Sequence, residues 1–189
     1  MRKLIATSLF LAAAGGLFCA QPAEASPTPD AIAVQKFLKN HKSPLPWWTI
    51  AAFKEAHPDF DIAGYLTVIW CESSLGTTGG SARYNNPGNI KYMQGSDKFW
   101  HKLAVGKWLC PGQGWYNRYL DIYTGQRAAI RLIYDSKYHY NTLLAAHDWE
   151  GFAAIYYGEK VAGLAQYTAN LEAAHALIVR EAARYGVSW

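Results

Sequence analysis

The sequence lacks the residue patterns of metal, phosphate and serine-hydrolase chemistry. No Cys/His set has the spacing of zinc ligands, and no glycine-rich loop of the phosphate-binding type is present. The nucleophile motif Gly-x-Ser-x-Gly is missing as well. We therefore expect no metal and no cofactor, and we expect the six histidines to be structural or surface groups.

Strong charge and long apolar runs are also scarce. The formal net charge is +4 over 189 residues, a basic excess too small and too scattered to predict a nucleic-acid partner. Beyond the N-terminus, no run is long and apolar enough to be a transmembrane segment. Residues 1–25 are typical of a secretory signal peptide, which ends in the small-x-small cleavage site Ala23-Glu24-Ala25. We therefore predict that the protein is secreted or periplasmic.

Cysteine is rare, and Cys19 falls inside the predicted signal. Cys71 and Cys110 remain in residues 26–189. In an oxidising compartment an even pair is expected to form a disulfide, and we predict one between these two residues. A metal site is the weaker alternative, because no histidine stands at ligand spacing from either cysteine.

Apolar spacing predicts that residues 26–189 form a single, mainly α (α+β) domain. The predicted helices cover residues 31–41, 48–56, 61–73, 126–136, 149–157 and 167–185. Between residues 89 and 123, Gly and Pro breakers and alternating aromatic residues predict loops with a short hairpin.

One carboxylic acid stands at the end of a predicted helix. Ile62, Leu66 and Ile69 form an apolar stripe, and Glu72 falls at the edge of that stripe, just before the breaker run of residues 76–80. Partial burial and the C-terminal end of the helix dipole both disfavour a charged carboxylate, so both raise its pKa. Such a group can hold a proton near neutral pH and donate it to a glycosidic oxygen. The alternative is that Glu72 simply ends a surface helix.

Two motifs favour the catalytic interpretation. Glu72-Ser73-Ser74-Leu75-Gly76, followed by the turn Asn85-Asn86-Pro87-Gly88-Asn89-Ile90, resembles the lysozyme-like superfamily. Within it, the resemblance is to bacterial peptidoglycan-cleaving enzymes, which include lytic transglycosylases and endo-N-acetylglucosaminidases. Tyr119-Leu120-Asp121-Ile122-Tyr123 also resembles the aromatic segment that leads into the next helix of these enzymes. The resemblance implies a lysozyme-like helical domain, with a loop and hairpin region lining a cleft that binds peptidoglycan glycan strands.

The resemblance also implies roles for single residues. Glu72 matches the catalytic acid/base, and Tyr167 matches a tyrosine that reaches this acid from the opposite wall. Tyr157 stands where an Ala-Tyr-Asn-x-Gly segment of transglycosylases has Asn. The predicted site comprises Glu72 as the catalytic residue and, as substrate-binding residues, Ser73, Tyr84, Asn86, Asn89, Tyr123 and Tyr167.

Aromatic residues are abundant, with eight Trp and thirteen Tyr. Flat rings stack on pyranose faces, which favours a carbohydrate ligand. The aromatic residues expected in the cleft and its rim are Tyr84, Tyr92, Trp100, Trp108 and Trp115. Phe53, Trp70 and Tyr134 lie in helical stripes, so we expect them to be buried.

No sequence motif marks a second catalytic carboxylate. Two-carboxylate glycosidases hold their acids about 5 to 9.5 Å apart. After Glu72 the next acidic residues are Asp97 and Asp121, and a strand-end or cap role is the simpler interpretation of Asp121. Lytic transglycosylases need only one Glu, because the substrate's N-acetyl group and 6-hydroxyl complete an internal displacement. We therefore favour a lytic transglycosylase. A hydrolytic muramidase or endo-N-acetylglucosaminidase, and a non-catalytic glycan-binding module, are the alternatives; no protein partner is predicted.

Overall fold

The computed structural model describes residues 27–158 and 162–189, so the predicted signal at residues 1–25 lies outside the described residues. The elements are α1 (Pro29–Asn40), α2 (Trp47–Ala56), α3 (Ile62–Ser73), α4 (Gly79–Arg83), α5 (Phe99–Lys102), β1 (Gly106–Cys110), β2 (Gly114–Arg118), α6 (Ile122–Asp135), α7 (Tyr140–Ala145), α8 (Trp149–Ala153), a π-helical segment (Ala154–Gly158) and α9 (Leu164–Ala183). The prediction of a mainly helical α+β chain with a small hairpin is confirmed. In the part of the chain that the structure describes, no helix combines the length and apolarity that a membrane span requires.

Helix α3 is the central helix of the fold. Its residues from Ile62 to Ile69 are all buried, and it packs along α9 and against α7. Asp61 occupies the N-cap position of α3, but its carboxylate accepts no capping hydrogen bond. Burial on all sides therefore stabilises α3 more than its cap does.

The buried apolar side chains form a cluster that includes Val34 of α1 and Ile178 of α9. Phe53, Trp70 and Tyr134 pack against this cluster but keep part of their surface exposed. The expectation that these three side chains are buried is therefore only partly met.

Several helix boundaries differ from the predicted ones. Helix α6 begins at Ile122 rather than at residue 126, because the Asp121 carboxylate caps it by accepting a hydrogen bond from Thr124 N at 2.7 Å. The predicted helix at residues 149–157 divides into α8 and the π-helical segment. Gly163 has a φ of 98°, which is incompatible with a right-handed helix. Helix α9 therefore begins at the next residue, Leu164.

The hairpin of β1 and β2 holds in place the turn of residues 85–90, which we call the Asn-rich turn. Its strands are antiparallel, with Trp108 opposite Tyr116. The segment that leaves the turn adds to the edge of β2, since Asn117 N donates to Ile90 O at 2.9 Å and Tyr92 N donates to Trp115 O at 2.9 Å. The turn is thereby fixed between α3 and the hairpin.

The predicted disulfide between Cys71 and Cys110 is absent from the structure, in which both are free thiols. Cys71 lies on the last turn of α3 and faces a shallow pocket lined by α9 residues such as Leu177. Cys110 ends β1, where its Sγ lies 3.4 Å from Gln113 Oε1 within the hairpin turn. The two thiols thus lie in different surroundings. The number of cysteines, on which the prediction rested, cannot reveal this difference.

Candidate active site

The backbone turns sharply directly after Glu72. Ser74, Leu75 and Gly76 have φ angles of 47°, 59° and 80°, so three consecutive residues adopt left-handed conformations. Leu75 N donates to Ile69 O at 3.2 Å, which closes the end of α3. The helix therefore stops one residue beyond Glu72.

Each oxygen of the Glu72 carboxyl group accepts a hydrogen bond from a different part of the fold. Tyr167 of α9 donates its hydroxyl to Oε1 at 2.7 Å. Asn89 donates Nδ2 to Oε2 at 3.0 Å and to the Glu72 backbone oxygen at 2.6 Å. The carboxyl group is thus held from two sides.

The pKa of Glu72 is raised above its ordinary value, and burial is the main cause. The hydrogen bonds from Tyr167 and Asn89, together with the positive charge of Lys91, lower the pKa and offset part of this effect. No carboxylate is among the causes of the shift. The result is an isolated acid that keeps its proton to a higher pH than a solvated Glu does.

Tyr167 is held as a neutral hydrogen-bond donor. Its side chain is 9% exposed, and burial together with the negative charge of Glu72 raises its pKa well above the ordinary range. The ring of Tyr157 stacks on it at 4.7 Å between centroids. Tyr167 therefore contacts Glu72 from the opposite wall, where the resemblance places it; its part in substrate binding stays a prediction.

Asn89 is oriented by a contact of its own. Its φ of 47° is left-handed, and its Oδ1 accepts a hydrogen bond from the buried Ser81 hydroxyl of α4. Because Oδ1 is used in this way, Nδ2 faces Glu72. Asn89 therefore contacts the acid directly; its part in substrate binding stays a prediction.

Ser73 is 2% exposed and fully hydrogen-bonded. Its hydroxyl donates toward Pro87 O at 2.8 Å and Ile69 O at 3.1 Å, and it accepts from Gly76 N at 2.9 Å. The prediction of Ser73 as a substrate-binding residue is corrected accordingly: it joins the end of α3 to the Asn-rich turn.

Asn86 is also structural rather than substrate-binding, because it is 0% exposed. Its Nδ2 donates to Ile90 O and Asn117 O, both at 3.0 Å, and its Oδ1 accepts from Ile90 N at 2.9 Å. All of its hydrogen bonds are therefore made within the fold, and they join the turn to the hairpin.

Tyr84 belongs to a row of stacked rings on the hairpin side. Its ring lies 4.9 Å from that of Trp108, which lies 5.2 Å from that of Tyr116. A Cβ on Gly80 would lie 2.2 Å from Trp108, so a side chain at this position would require the Trp108 ring to shift. The charge of Glu72 contributes to the raised pKa of Tyr116, which puts the row close to the carboxyl group.

The other aromatic residues expected in the cleft are distributed differently. Trp100 is only 9% exposed and belongs to the core cluster. Tyr92 and Trp115 flank the ammonium group of Lys107, at 4.9 Å and 4.7 Å. Tyr123 lies with α2 and α5 in a separate groove that holds none of the residues bonded to Glu72.

Tyr156 is a site residue that the sequence reasoning missed. Its hydroxyl donates to Gly88 O at 2.7 Å, which joins the π-helical segment to the Asn-rich turn. Burial and the charge of Glu72 raise its pKa well above the ordinary range. Its signal in the sequence is its place beside Tyr157 in the segment compared with Ala-Tyr-Asn-x-Gly, from which only Tyr157 was discussed.

The acidic residues considered as partners of Glu72 have other surroundings. Asp121 is exposed, and its hydrogen bonds with Thr124 lower its pKa. Asp97 is exposed in the loop before α5. Within the described residues, no three His, Cys, Asp or Glu side chains are grouped so that they could hold a metal ion.

The geometry around Glu72 is that of a single, partly desolvated acid with fixed donors on both oxygens and an aromatic wall nearby. Such a group can protonate a leaving oxygen and afterwards accept a proton. Comparisons of the chain with protein-family models, with curated proteins and with solved structures find no match.

Proposed function

We propose that this chain is an exported enzyme that cleaves peptidoglycan glycan strands, with Glu72 as its only acid/base. The observation that carries the proposal is the buried Glu72 carboxyl group, whose pKa is raised and whose two oxygens accept hydrogen bonds from Tyr167 and Asn89. The row of rings formed by Tyr84, Trp108 and Tyr116 adds an aromatic wall on the hairpin side of the site, as carbohydrate-binding clefts commonly have.

The favoured reaction is a lytic transglycosylation. Glu72 donates its proton to the glycosidic oxygen as the bond from that oxygen to C1 of MurNAc breaks. The resulting carboxylate then removes the proton of the 6-hydroxyl of the same MurNAc, whose oxygen bonds to C1. The product is a 1,6-anhydro sugar, Glu72 regains its proton, and no water is consumed.

The residues around Glu72 favour this reaction over hydrolysis. A hydrolase with two carboxylates needs the second one about 5 to 9.5 Å from the first. Asp121 instead caps α6, and no carboxylate contributes to the pKa shift of Glu72. Tyr167 and Asn89 stabilise the carboxylate during the moment when Glu72 has lost its proton.

Mass spectrometry of the fragments released from purified peptidoglycan tests the proposal. We expect 1,6-anhydro-MurNAc ends, which are lighter than hydrolysed ends by one water. Reducing MurNAc ends would indicate a muramidase, and reducing GlcNAc ends a glucosaminidase. Glycan binding without any released fragment would indicate a non-catalytic module and would refute the proposal.

A further inference from the structure

A second concave surface lies between α2, α5 and α6. This groove of about 460 Å³ is lined by residues that include Trp48, Phe99, Tyr123, Arg127 and Arg131. We call it the α2–α6 groove. None of the residues that form hydrogen bonds with the Glu72 side chain lines it.

The groove exposes three large rings from three different elements. Trp48 is 56% exposed, Tyr123 is 42% exposed and Phe99 is 38% exposed. Aromatic rings are ordinarily the residues that a fold buries, and a concave surface that groups exposed ones is typical of a binding site. Flat exposed rings favour ligands with flat apolar faces, such as pyranose rings.

The groove also carries a positive charge with free donors. The Arg127 guanidinium lies 5.4 Å from the Tyr123 ring centre and 5.8 Å from that of Phe99. It forms no ion pair with any carboxylate of the described residues, whereas Arg131 pairs with Asp135. Arg127 is thus held in position by rings while its N–H groups stay available for an acidic ligand.

One neighbour of the groove contacts the loop that follows Glu72. Ile122, which precedes Tyr123 in the chain, packs near Gly76 of that loop, since a Cβ on Gly76 would lie 3.7 Å from Ile122 Cδ1.

We propose that the α2–α6 groove binds a carboxylate-bearing stretch of the glycan strand away from the point of cleavage. Sugar rings stack on Trp48 and Tyr123, and a lactyl or peptide carboxylate accepts hydrogen bonds from Arg127. The identity of this glycan rests on the proposed function, whereas the acidic-carbohydrate chemistry of the groove rests on its own residues.

Binding experiments with the Glu72→Gln variant test the groove without cleavage. Calorimetry would measure the affinity of the protein for three ligands: soluble peptidoglycan strands with peptide stems, the same strands without stems, and uncharged chitin hexasaccharide. Adding Arg127→Gln is expected to weaken binding of the strands about tenfold, because it removes charge-assisted hydrogen bonds. Arg180→Gln on α9 changes the net charge equally outside the groove, and we expect it to leave binding unchanged.

Trp48→Ala provides a second variant; Trp48 is largely exposed, so its replacement removes little of the core packing. We expect it to weaken binding of the strands and of chitin hexasaccharide, while Arg127→Gln affects only the acidic strands. A loss confined to strands with peptide stems assigns the carboxylate to the peptide. A loss confined to strands without stems assigns it to the lactyl group, whose carboxyl is free only when no stem is attached through an amide bond. A loss on both strands means that Arg127 accepts either carboxylate.

Equal affinity of the Arg127→Gln and Arg180→Gln proteins for acidic strands would overturn the inference. It would also be overturned if Arg127→Gln weakened binding of chitin hexasaccharide as much as binding of the acidic strands. The proposed function fails separately, if the unmodified protein releases no fragments from peptidoglycan. In that case, weaker binding of acidic strands by Arg127→Gln would still support the groove as an acidic-glycan site.

Discussion

At the scale of single residues, the carboxyl group of Glu72 is subject to two opposing effects. Burial favours its protonated form, whereas the donors on Tyr167 and Asn89 and the charge of Lys91 favour its ionised form. Burial is the larger effect, so the pKa is raised while the ionised form keeps a stabilising partner on each oxygen. A group that gives a proton and later takes one back needs both properties.

Glu72→Gln keeps the shape of the side chain but removes its proton. We expect peptidoglycan cleavage to fall at least about 100-fold, because general acid catalysis is lost. Glu172→Gln on the exposed face of α9 is the matched control and should retain full activity. Release of soluble fragments, with circular dichroism as a check of folding, measures both. Retention of more than about a tenth of the activity by Glu72→Gln would exclude Glu72 as the essential acid.

Tyr167→Phe removes a hydrogen bond that lowers the pKa of Glu72. The pKa of Glu72 should therefore rise further, and cleavage, which needs the protonated acid, should decline at a higher pH than in the unmodified protein. We also expect the maximal rate to fall about tenfold, because the carboxylate loses a charge-assisted donor. The pH dependence of kcat measures both effects.

Tyr157→Phe is the matched control for this substitution. It removes a hydroxyl from the neighbouring stacked ring, and that hydroxyl forms no hydrogen bond with Glu72. Its pH profile should coincide with that of the unmodified protein. An unchanged profile for Tyr167→Phe would mean that the Tyr167 hydroxyl does not influence the acid.

At the scale of elements, the Asn-rich turn is held by α3, the hairpin, the π-helical segment and α6 together. Gly125 allows the contact with α6, since a Cβ there would lie 1.7 Å from the carbonyl oxygen of Asn85. That oxygen belongs to backbone and cannot move aside as a flexible side chain would. The turn and α6 must therefore separate if Gly125 acquires a side chain.

Gly125→Ala should lower the free energy of unfolding by about 2 kcal/mol, since overpacking against backbone costs about 1 to 3 kcal/mol. We expect cleavage to fall as well, because the displaced turn carries Asn89. Gly106→Ala is the control: its Cβ would meet nothing closer than 3.6 Å. Urea denaturation at equilibrium compares the two. Equal stability of both variants would contradict the close contact.

The sequence predicts elements that depend on local signals. The apolar stripe and the glycines after it predict α3 and its end, and the breakers between residues 89 and 123 predict the hairpin. Contacts between distant segments have no such signal. Asn86 and Asn89 look equivalent in the sequence, but only the packed turn makes one structural and directs the other to Glu72.

The prediction for Ser73 failed for the same reason. Ser73 stands beside the acid in sequence, but on a helix its side chain points elsewhere, toward Pro87 O. The early start of α6 has a local cause instead, because Asp121, which the sequence analysis had weighed as a second acid or a cap, caps the helix through Thr124 N three residues on. In the structure, Asp121 is the N-cap of α6.

At the scale of the whole molecule, the two thiols Cys71 and Cys110 lie in different surroundings. Burial and the charge of Glu72 raise the pKa of Cys71 to about 12, so its reactive thiolate is scarce at neutral pH. Cys110 lies at the hairpin turn with part of its surface exposed. Among the residues that the structure describes, the native protein should therefore offer one reactive thiol and one protected thiol.

Labelling of the native protein with a thiol reagent at about pH 8 should be fast at one site only. The second label should appear after unfolding without any reductant. In Cys110→Ser the fast reaction should disappear, and in Cys71→Ser it should persist. A native protein that gains thiols only after reduction would show that the two cysteines are joined after all.

The hydrogen bond between Tyr167 and Glu72 joins residues that are 95 positions apart in the chain. A growing polypeptide contains Glu72 and the Asn-rich turn before α9 exists to dock on α3. Under the proposed function, an incomplete chain would consequently be inactive, and the enzyme could cleave the cell wall of its producer only after the chain had been completed and folded.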